Sequence, residues 1–218
     1  MYLIDIAMLH ELFRPKPSVV HLETENDTSM NNYELSCING PNLALRLVQP
    51  EDAEYIHTLR SDIQYNAHLS AVQGTAGNQR KWIVDYKARE EVASEFYYVI
   101  ERHDGVRCGV VRLYDITQDS FTWGSWILDH NKPRKAALES AYLLYDTAFT
   151  YLQLQKAVFQ VRRENNRTLA FHQRFGAIQT HIDAKDIYFT YSREQFENSK
   201  VNFKLLLEFP DIETNATS

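Results

Sequence analysis

The spacing of apolar residues changes several times along this chain, and each change marks an element. LALRLV, from Leu43, alternates with Leu43, Leu45 and Leu47 on one face, and Pro50 closes it, which predicts a strand. The spacing then becomes helical. Glu51 and Asp52 open a run with Ala53, Ile56 and Leu59 on one side, and acidic residues suit the positive end of a helix. Residues 62–77 show no period and contain Tyr65, His68, Gly74 and Gly77. A second helix is predicted over residues 79–91, with Trp82, Ile83 and Tyr86 as its apolar stripe.

From Phe96 the pattern is that of strands. FYYVIER runs into His103-Asp104-Gly105, and Asp-Gly is a strong hairpin signal. VRCGVVRLYDI returns, residues 117–120 turn again, and FTWGSWIL forms a third strand. A polar stretch at residues 129–135, with Pro133 inside it, precedes a long helix over residues 136–152 carrying Ala137, Ala141, Leu144, Ala148, Phe149 and Leu152. The next strand, residues 156–162, should lie parallel to the one before the helix, because a crossover helix joins parallel neighbours. An Asn pair, a short run with Leu169, Phe171 and Phe175, and a stop at Gly176 complete a strand–helix unit. A last strand over residues 185–192 and a helical turn over residues 193–200 follow.

The order is β-α-α-β-β-β-α-β-α-β, an α/β chain whose antiparallel meander turns into a parallel βαβ unit. Where the third meander strand and the strand after the long helix part, the sheet should splay. A ligand can then run its polar backbone along strand groups with its anionic end at the helix N-terminus. Residues 1–40 differ in character: Pro15 and Pro17 interrupt an apolar opening, and residues 23–32 are polar. They are expected to form a partly flexible extension, with residues 1–13 either a short docking helix or a poorly ordered terminus, ahead of a folded domain over residues 41–218.

Composition narrows the function. Of 218 residues 44% are hydrophobic, enough for a sizeable core, and the formal net charge of −6 gives no attraction to a nucleic-acid backbone. No apolar run is long enough to span a bilayer, and the N-terminus lacks the basic front and cleavage site of a signal peptide, so a cytoplasmic protein without a membrane partner is expected. Cys37 and Cys108 are too few for a disulfide framework or a zinc site, so no metal is expected.

Three segments carry a family resemblance. Glu164-Asn165-Asn166-Arg167-Thr168-Leu169-Ala170-Phe171-His172-Gln173-Arg174-Phe175-Gly176-Ala177 is similar to an ENxxAxxxYxxxGF motif. Residues 96–115 resemble the hairpin that precedes it, and Gln79-Arg80-Lys81-Trp82 a QxxW helix. Together, over residues 43–192, the chain resembles the GNAT superfamily of N-acetyltransferases. It looks closest to the branch holding ribosomal-protein alanine and nucleotide-sugar amine N-acetyltransferases, the latter acting in surface-polysaccharide biosynthesis. The resemblance implies a mixed, mostly antiparallel twisted sheet, splayed between two central parallel strands, with helices on both faces. It implies acetyl-CoA as co-substrate and a small-molecule primary amine as acceptor, most simply on a nucleotide-linked amino sugar. The alternatives are a protein N-terminus as acceptor, or a non-catalytic binding subunit of the same fold. Many relatives are dimers, so a homodimer is a further expectation.

The resemblance also implies roles for residues. The cofactor's pantetheine would bond the strand at Trp126, Ile127 and Leu128, with Asn165, Thr168 and Phe171 on the facing helix. Asn165 would serve equally as a helix cap. His172 stands where the family often has a Tyr that protonates the leaving thiolate, and an exposed or helix-packed His is the competing reading. The phosphate loop departs from its pattern: Lys132, Lys135 and Ala137 occupy the marked positions, and Lys135 replaces a Gly. Either Lys132, Arg134 and Lys135 bind phosphate by charge beside Ala136 and Ala137 at the helix start, or cofactor binding is weakened. On the acceptor side the candidates are His68, Tyr114 and Trp123; Trp123 and Trp126, at i and i+3, should face opposite sides of their strand. Glu54, His68, Tyr114, Asp115 and Asp129 are open choices for the general base.

Overall fold

The computed structural model describes residues 35–68 and 74–208. The expected docking helix at residues 1–13 lies outside them. The elements are β1 (Cys37–Asn39), β2 (Leu43–Leu47), a 3-10 turn (Pro50–Asp52), α1 (Ala53–Ser61), α2 (Ile63–Asn66), α3 (Ala76–Glu91), β3 (Phe96–Arg102), β4 (Arg107–Tyr114) and β5 (Ser120–Leu128). There follow α4 (Ala136–Asp146), a wide π-type turn (Thr147–Tyr151), β6 (Lys156–Arg162), α5 (Asn166–Phe175), β7 (Ile178–Ile182), β8 (Asp186–Ser192) and α6 (Arg193–Glu208). One eight-stranded sheet runs β1-β2-β3-β4-β5-β6-β8-β7. Every neighbouring pair is antiparallel except β5 and β6. This is the expected α/β architecture.

Alternation along β3 explains the layering. Tyr98 and Ile100 enter one core and Tyr97 and Val99 the other, so this strand is covered on both faces. The first core packs α4, α5 and α6 on the sheet through Ala141, Leu144, Tyr145, Leu169, Phe175, Phe196 and Phe203. The second packs α1 and α3 through Ile56, Leu59, Ile83 and Tyr86.

Two irregularities shape the middle of the sheet. Val110 pairs with Ile127 and Arg112 with Gly124, so Val111 alone stands opposite both Ser125 and Trp126. Ser125 takes φ 47°, a left-handed conformation unusual for a residue with a side chain, and the strand gains one residue there. The bulge corrects the expectation that Trp123 and Trp126 face opposite sides. The inserted residue restores the phase, and both rings enter the same core with centroids 5.2 Å apart. The second irregularity is the ladder between β5 and β6, which consists of Ser120–Lys156 and Phe121–Ala157. β6 and β8, by contrast, pair along all of Lys156–Arg162.

Four elements differ from expectation for local reasons. β1 is only three residues long. α2 is a single turn capped by Asp62, whose side chain accepts from Gln64 N. β7 is exposed on both sides, so it shows no apolar alternation and is held by β8 alone. α6 runs eight residues beyond Lys200, to Glu208, because Phe203 and Leu207 continue the buried stripe begun at Phe196. Gly176 ends α5 at φ 101°, as the sequence predicts.

Glu139 of α4 is fully buried and accepts from Asn42 N (2.7 Å), Leu43 N (2.8 Å) and Asn42 Nδ2 (3.0 Å). It fastens the β1–β2 turn to the helix. Truncation would leave those donors unsatisfied. Glu139→Ala is therefore expected to destabilise the chain by about 2–4 kcal/mol, read as a lower urea midpoint at unchanged slope.

Candidate active site

Past Phe121 the two parallel strands diverge, and aromatic residues fill the wedge between them. His172 of α5 stands among them. Its ring centroid lies 4.5 Å from Phe159, 5.3 Å from Trp123 and 5.4 Å from Phe171. It is fully buried, and neither Nδ1 nor Nε2 has a hydrogen-bond partner. One turn earlier on the same helix, Thr168 is also fully buried with its Oγ1 unpartnered. Buried polar atoms are normally satisfied, so this pair marks a place where polar partners are due. Burial pushes the His172 pKa down to about 3. At neutral pH the ring is therefore neutral and offers one N–H and one lone pair.

The other expected residues are placed as follows. Asn165 caps α5, its Oδ1 accepting from Thr168 N at 3.2 Å. Phe171 packs on Trp126 at 5.1 Å, and Trp126 Nε1 donates to Ser140 Oγ at 3.1 Å, which seats β5 under α4. Ile127 points to the opposite core and Leu128 to the same one as Trp126. Beneath them Gly109 is obligatory, because a Cβ there would stand 2.2 Å from the Ile127 carbonyl oxygen.

The loop from Asp129 to Lys135 leads into α4. Lys135 is the N-cap residue at φ −95°, with no side-chain capping bond, and Glu139, the acidic residue of the first turn, is committed to the β1–β2 turn. Lys135 thus adopts a backbone open to any residue, and the Gly expected there is not needed for conformation. Lys132 Nζ donates to the Asp129 carbonyl at 3.2 Å, Lys135 Nζ to the Leu206 carbonyl of α6 at 2.5 Å, and Arg134 is exposed. Ala136 is fully buried and Ala137 packs against the same core.

The acceptor-side candidates separate. His68 lines a cavity of about 320 Å³ with Ala67, Arg162, Glu164 and Lys185. This cavity joins the segment after α2 to the C-terminal end of β6 and the turn before β8. Asp183 shapes that turn, its carboxylate accepting from Lys185 N, Asp186 N and Tyr188 Oη, each at 2.8 Å. Trp123 does not line an acceptor pocket: it is fully buried, and its Nε1 donates to Tyr145 Oη at 3.0 Å. Tyr114 pairs with Thr122 at the start of β5, roughly 20 Å along the strand from Leu128, and its ring lies 4.6 Å from the Arg112 guanidinium. It is not brought together with His68. Of the other candidate bases, Glu54 is exposed on α1, and Asp129 is buried with Tyr55 Oη donating to it at 2.8 Å. A larger cavity, about 530 Å³, lies by β2 and α3, but Arg46, Lys87 and Glu90 in its wall are already in ion pairs and it does not reach the splay.

Arg162, Glu164 and Lys185 were not singled out by sequence reasoning as site residues, and neither was Tyr55. Arg162 ends β6 and Glu164 opens the quoted motif two residues later, while Lys185 and Tyr55 come from other parts of the chain. Among the described residues no group of His, Cys, Asp and Glu could hold a metal ion, and no helix is long and apolar enough to cross a membrane.

Residues 42–178 match the family model described as an acetyltransferase (GNAT) domain. The chain belongs to the GNAT acetyltransferase family. A solved structure titled as apo FdhC, a nucleotide-linked sugar GNAT, is 37% identical with a TM-score of 0.71, over 76% of this chain and 95% of that one. An uncharacterized N-acetyltransferase, YokL, of SPbeta prophage origin in Bacillus subtilis (strain 168), is 25% identical over 72% of this chain and 94% of its own length. The ribosomal-protein-S5-alanine acetyltransferase from Vibrio fischeri shares the fold at a TM-score of 0.61 and 13% identity, over 72% of this GNAT chain and 97% of its own.

The buried neutral His172 has a consequence for stability. Its folded pKa lies below the ordinary 6.5, so the unfolded chain binds the extra proton between about pH 6.5 and 3. Stability should fall as pH drops through that window, by at most about 1.4 kcal/mol per pH unit from this group. In His172→Phe, urea unfolding measured between pH 7 and 4 should show a shallower decline than the parent.

Proposed function

We propose that this GNAT protein transfers an acetyl group from acetyl-CoA to the primary amine of a nucleotide-linked amino sugar. The observation that carries the acceptor class is the 37% identity, over 95% of its chain, to a structure titled as a nucleotide-linked sugar GNAT. The ribosomal-protein neighbour, at 13% identity, supports the fold alone.

The residues present fit acetyl-CoA. The ladder between β5 and β6 ends at Phe121, the Ser125 bulge turns β5 at the level of the wedge, and His172 and Thr168 bring unpartnered polar atoms there. Lys132, Arg134 and Lys135 cluster at the N-terminus of α4, where the helix dipole also favours an anion. The group supplies an acyl carbon activated by a thiolate leaving group. This chain's part is to hold and orient. The backbone of Trp126–Leu128 would carry the pantetheine amides. Lys132 and Arg134 would bind the pyrophosphate by charge rather than through a glycine loop. His172 would present its neutral N–H to the sulfur, as a hydrogen-bond donor in an environment where that bond is strong.

The amine enters through the cavity at His68. Attack requires it neutral, and His68 and Glu164 are the cavity's proton acceptors. Lys185 on the same wall, beside Arg162, whose Nη1 is paired with Asp186 at 2.9 Å, suits the diphosphate of a nucleotide-linked substrate.

The test is thiol release from acetyl-CoA with three acceptor classes: nucleotide-linked amino sugars, spermidine, and a peptide beginning with Ala. The sugar nucleotides are expected to give kcat/KM at least about 100-fold above the others, a difference near 2.7 kcal/mol. Preference for the peptide or the polyamine would overturn the acceptor, and no turnover with any would overturn the enzyme reading. In the Lys132→Gln, Arg134→Gln double variant, calorimetry should show acetyl-CoA binding weakened roughly tenfold or more, with less dependence on salt.

A further inference from the structure

The loop leaving β5 is held by side chains from the acceptor side of the molecule. Asp129 is its hub. The Asp129 N–H donates to the Cys108 carbonyl at 2.9 Å, and its Oδ1 accepts from Asn131 N at 2.7 Å. Its carbonyl accepts from Lys132 N at 3.3 Å and from Lys132 Nζ at 3.2 Å. Its Oδ2 accepts from Tyr55 Oη of α1 at 2.8 Å. One residue later, His130 N donates to Tyr65 Oη of α2 at 3.1 Å.

Both phenols are set by their own surroundings. The Arg107 guanidinium lies 4.5 Å over the Tyr55 ring and is itself 3.5 Å from Asp52. Tyr65 N and Asn66 N both donate to the Asp62 carbonyl at 2.9 Å, which fixes the turn of α2 that leads to His68. Hydrogen bonds from Tyr55 and Tyr65 thus cross-link the elements leading to His68 to the loop over residues 129–135. Core packing does not need these hydroxyls, because a Phe would bury the same ring area. What they add is a fixed relation between two segments that come from different parts of the chain.

We propose that Tyr55 and Tyr65 are positioning residues that tie α1 and α2 to the loop over residues 129–135, so that cofactor bound at the loop orders the segment bearing His68 and the two substrates bind cooperatively. The inference rests on the cofactor reading above. Linkage makes such coupling reciprocal, and these two hydrogen bonds, one of them to a carboxylate, support a factor of about five to ten.

Hydrogen–deuterium exchange on the full chain, with and without CoA, tests it. CoA is expected to slow exchange in peptides covering Ala136–Asp146 and also in those covering residues 62–68. In Tyr65→Phe the protection over 136–146 should persist while that over 62–68 falls at least about threefold. Tyr55→Phe should behave the same way, and Tyr65, being partly exposed, gives the variant less exposed to folding defects. Equal protection of residues 62–68 in parent and Tyr65→Phe overturns the proposal, as does protection of 136–146 alone in the parent. No protection anywhere at saturating CoA overturns the cofactor reading and the coupling together, which distinguishes it from failure of the coupling alone.

Discussion

Between β5 and β6 the backbone ladder lasts for two residue pairs, Ser120–Lys156 and Phe121–Ala157, and then stops. Each strand is anchored on its other side, β5 by β4 and β6 by the full length of β8, so the two halves of the sheet stay rigid while the seam between them opens. The Ser125 bulge sits on the opening side of that seam. It puts both Trp123 and Trp126 into the core beneath α4, where their indole N–H groups find Tyr145 and Ser140. The wedge they help to fill is apolar enough to hold His172 neutral. The position of the loop over residues 129–135, the depth of α5 and the location of the cavity at His68 all follow from where this seam opens.

Much of the fold was legible because most strands have at least one buried face. The alternation in LALRLV and FYYVIER, the Asp-Gly turn and the Gly176 stop each reflect a local rule that the tertiary structure did not override. What was not legible lacked that contrast. β7 buries no residue fully, and β1 is shorter than one alternation can show. The bulge was hidden for a different reason: Ser125 carries no signature of a left-handed backbone, unlike Gly or Asn, and missing one inserted residue reversed the face assigned to Trp123.

The candidate site divides along similar lines. Asn165, Thr168 and His172 lie on one helix at a spacing the motif displays, so they were found together. Lys185 and His68 meet the Arg162–Glu164 segment only through the fold. The loop over residues 129–135 departs from the family pattern at Lys135, yet Lys135 sits at an ordinary negative φ, so a Lys there costs no backbone strain. Lys132 and Arg134 then stand near the start of α4, while Lys135 Nζ donates to the Leu206 carbonyl of α6. Full burial of His172 among aromatic rings holds its pKa well below the ordinary value, so the ring is neutral.

The central claim is that the open seam receives the thioester, with sulfur at His172 and phosphates at the start of α4. A crystal structure with CoA tests this most directly. The account predicts the CoA sulfur within about 4 Å of a His172 ring nitrogen, pantetheine along Trp126–Leu128 and pyrophosphate against Lys132 and Arg134. CoA bound away from the seam, or a β5–β6 ladder continued past Phe121 with His172 sealed beneath it, would contradict it.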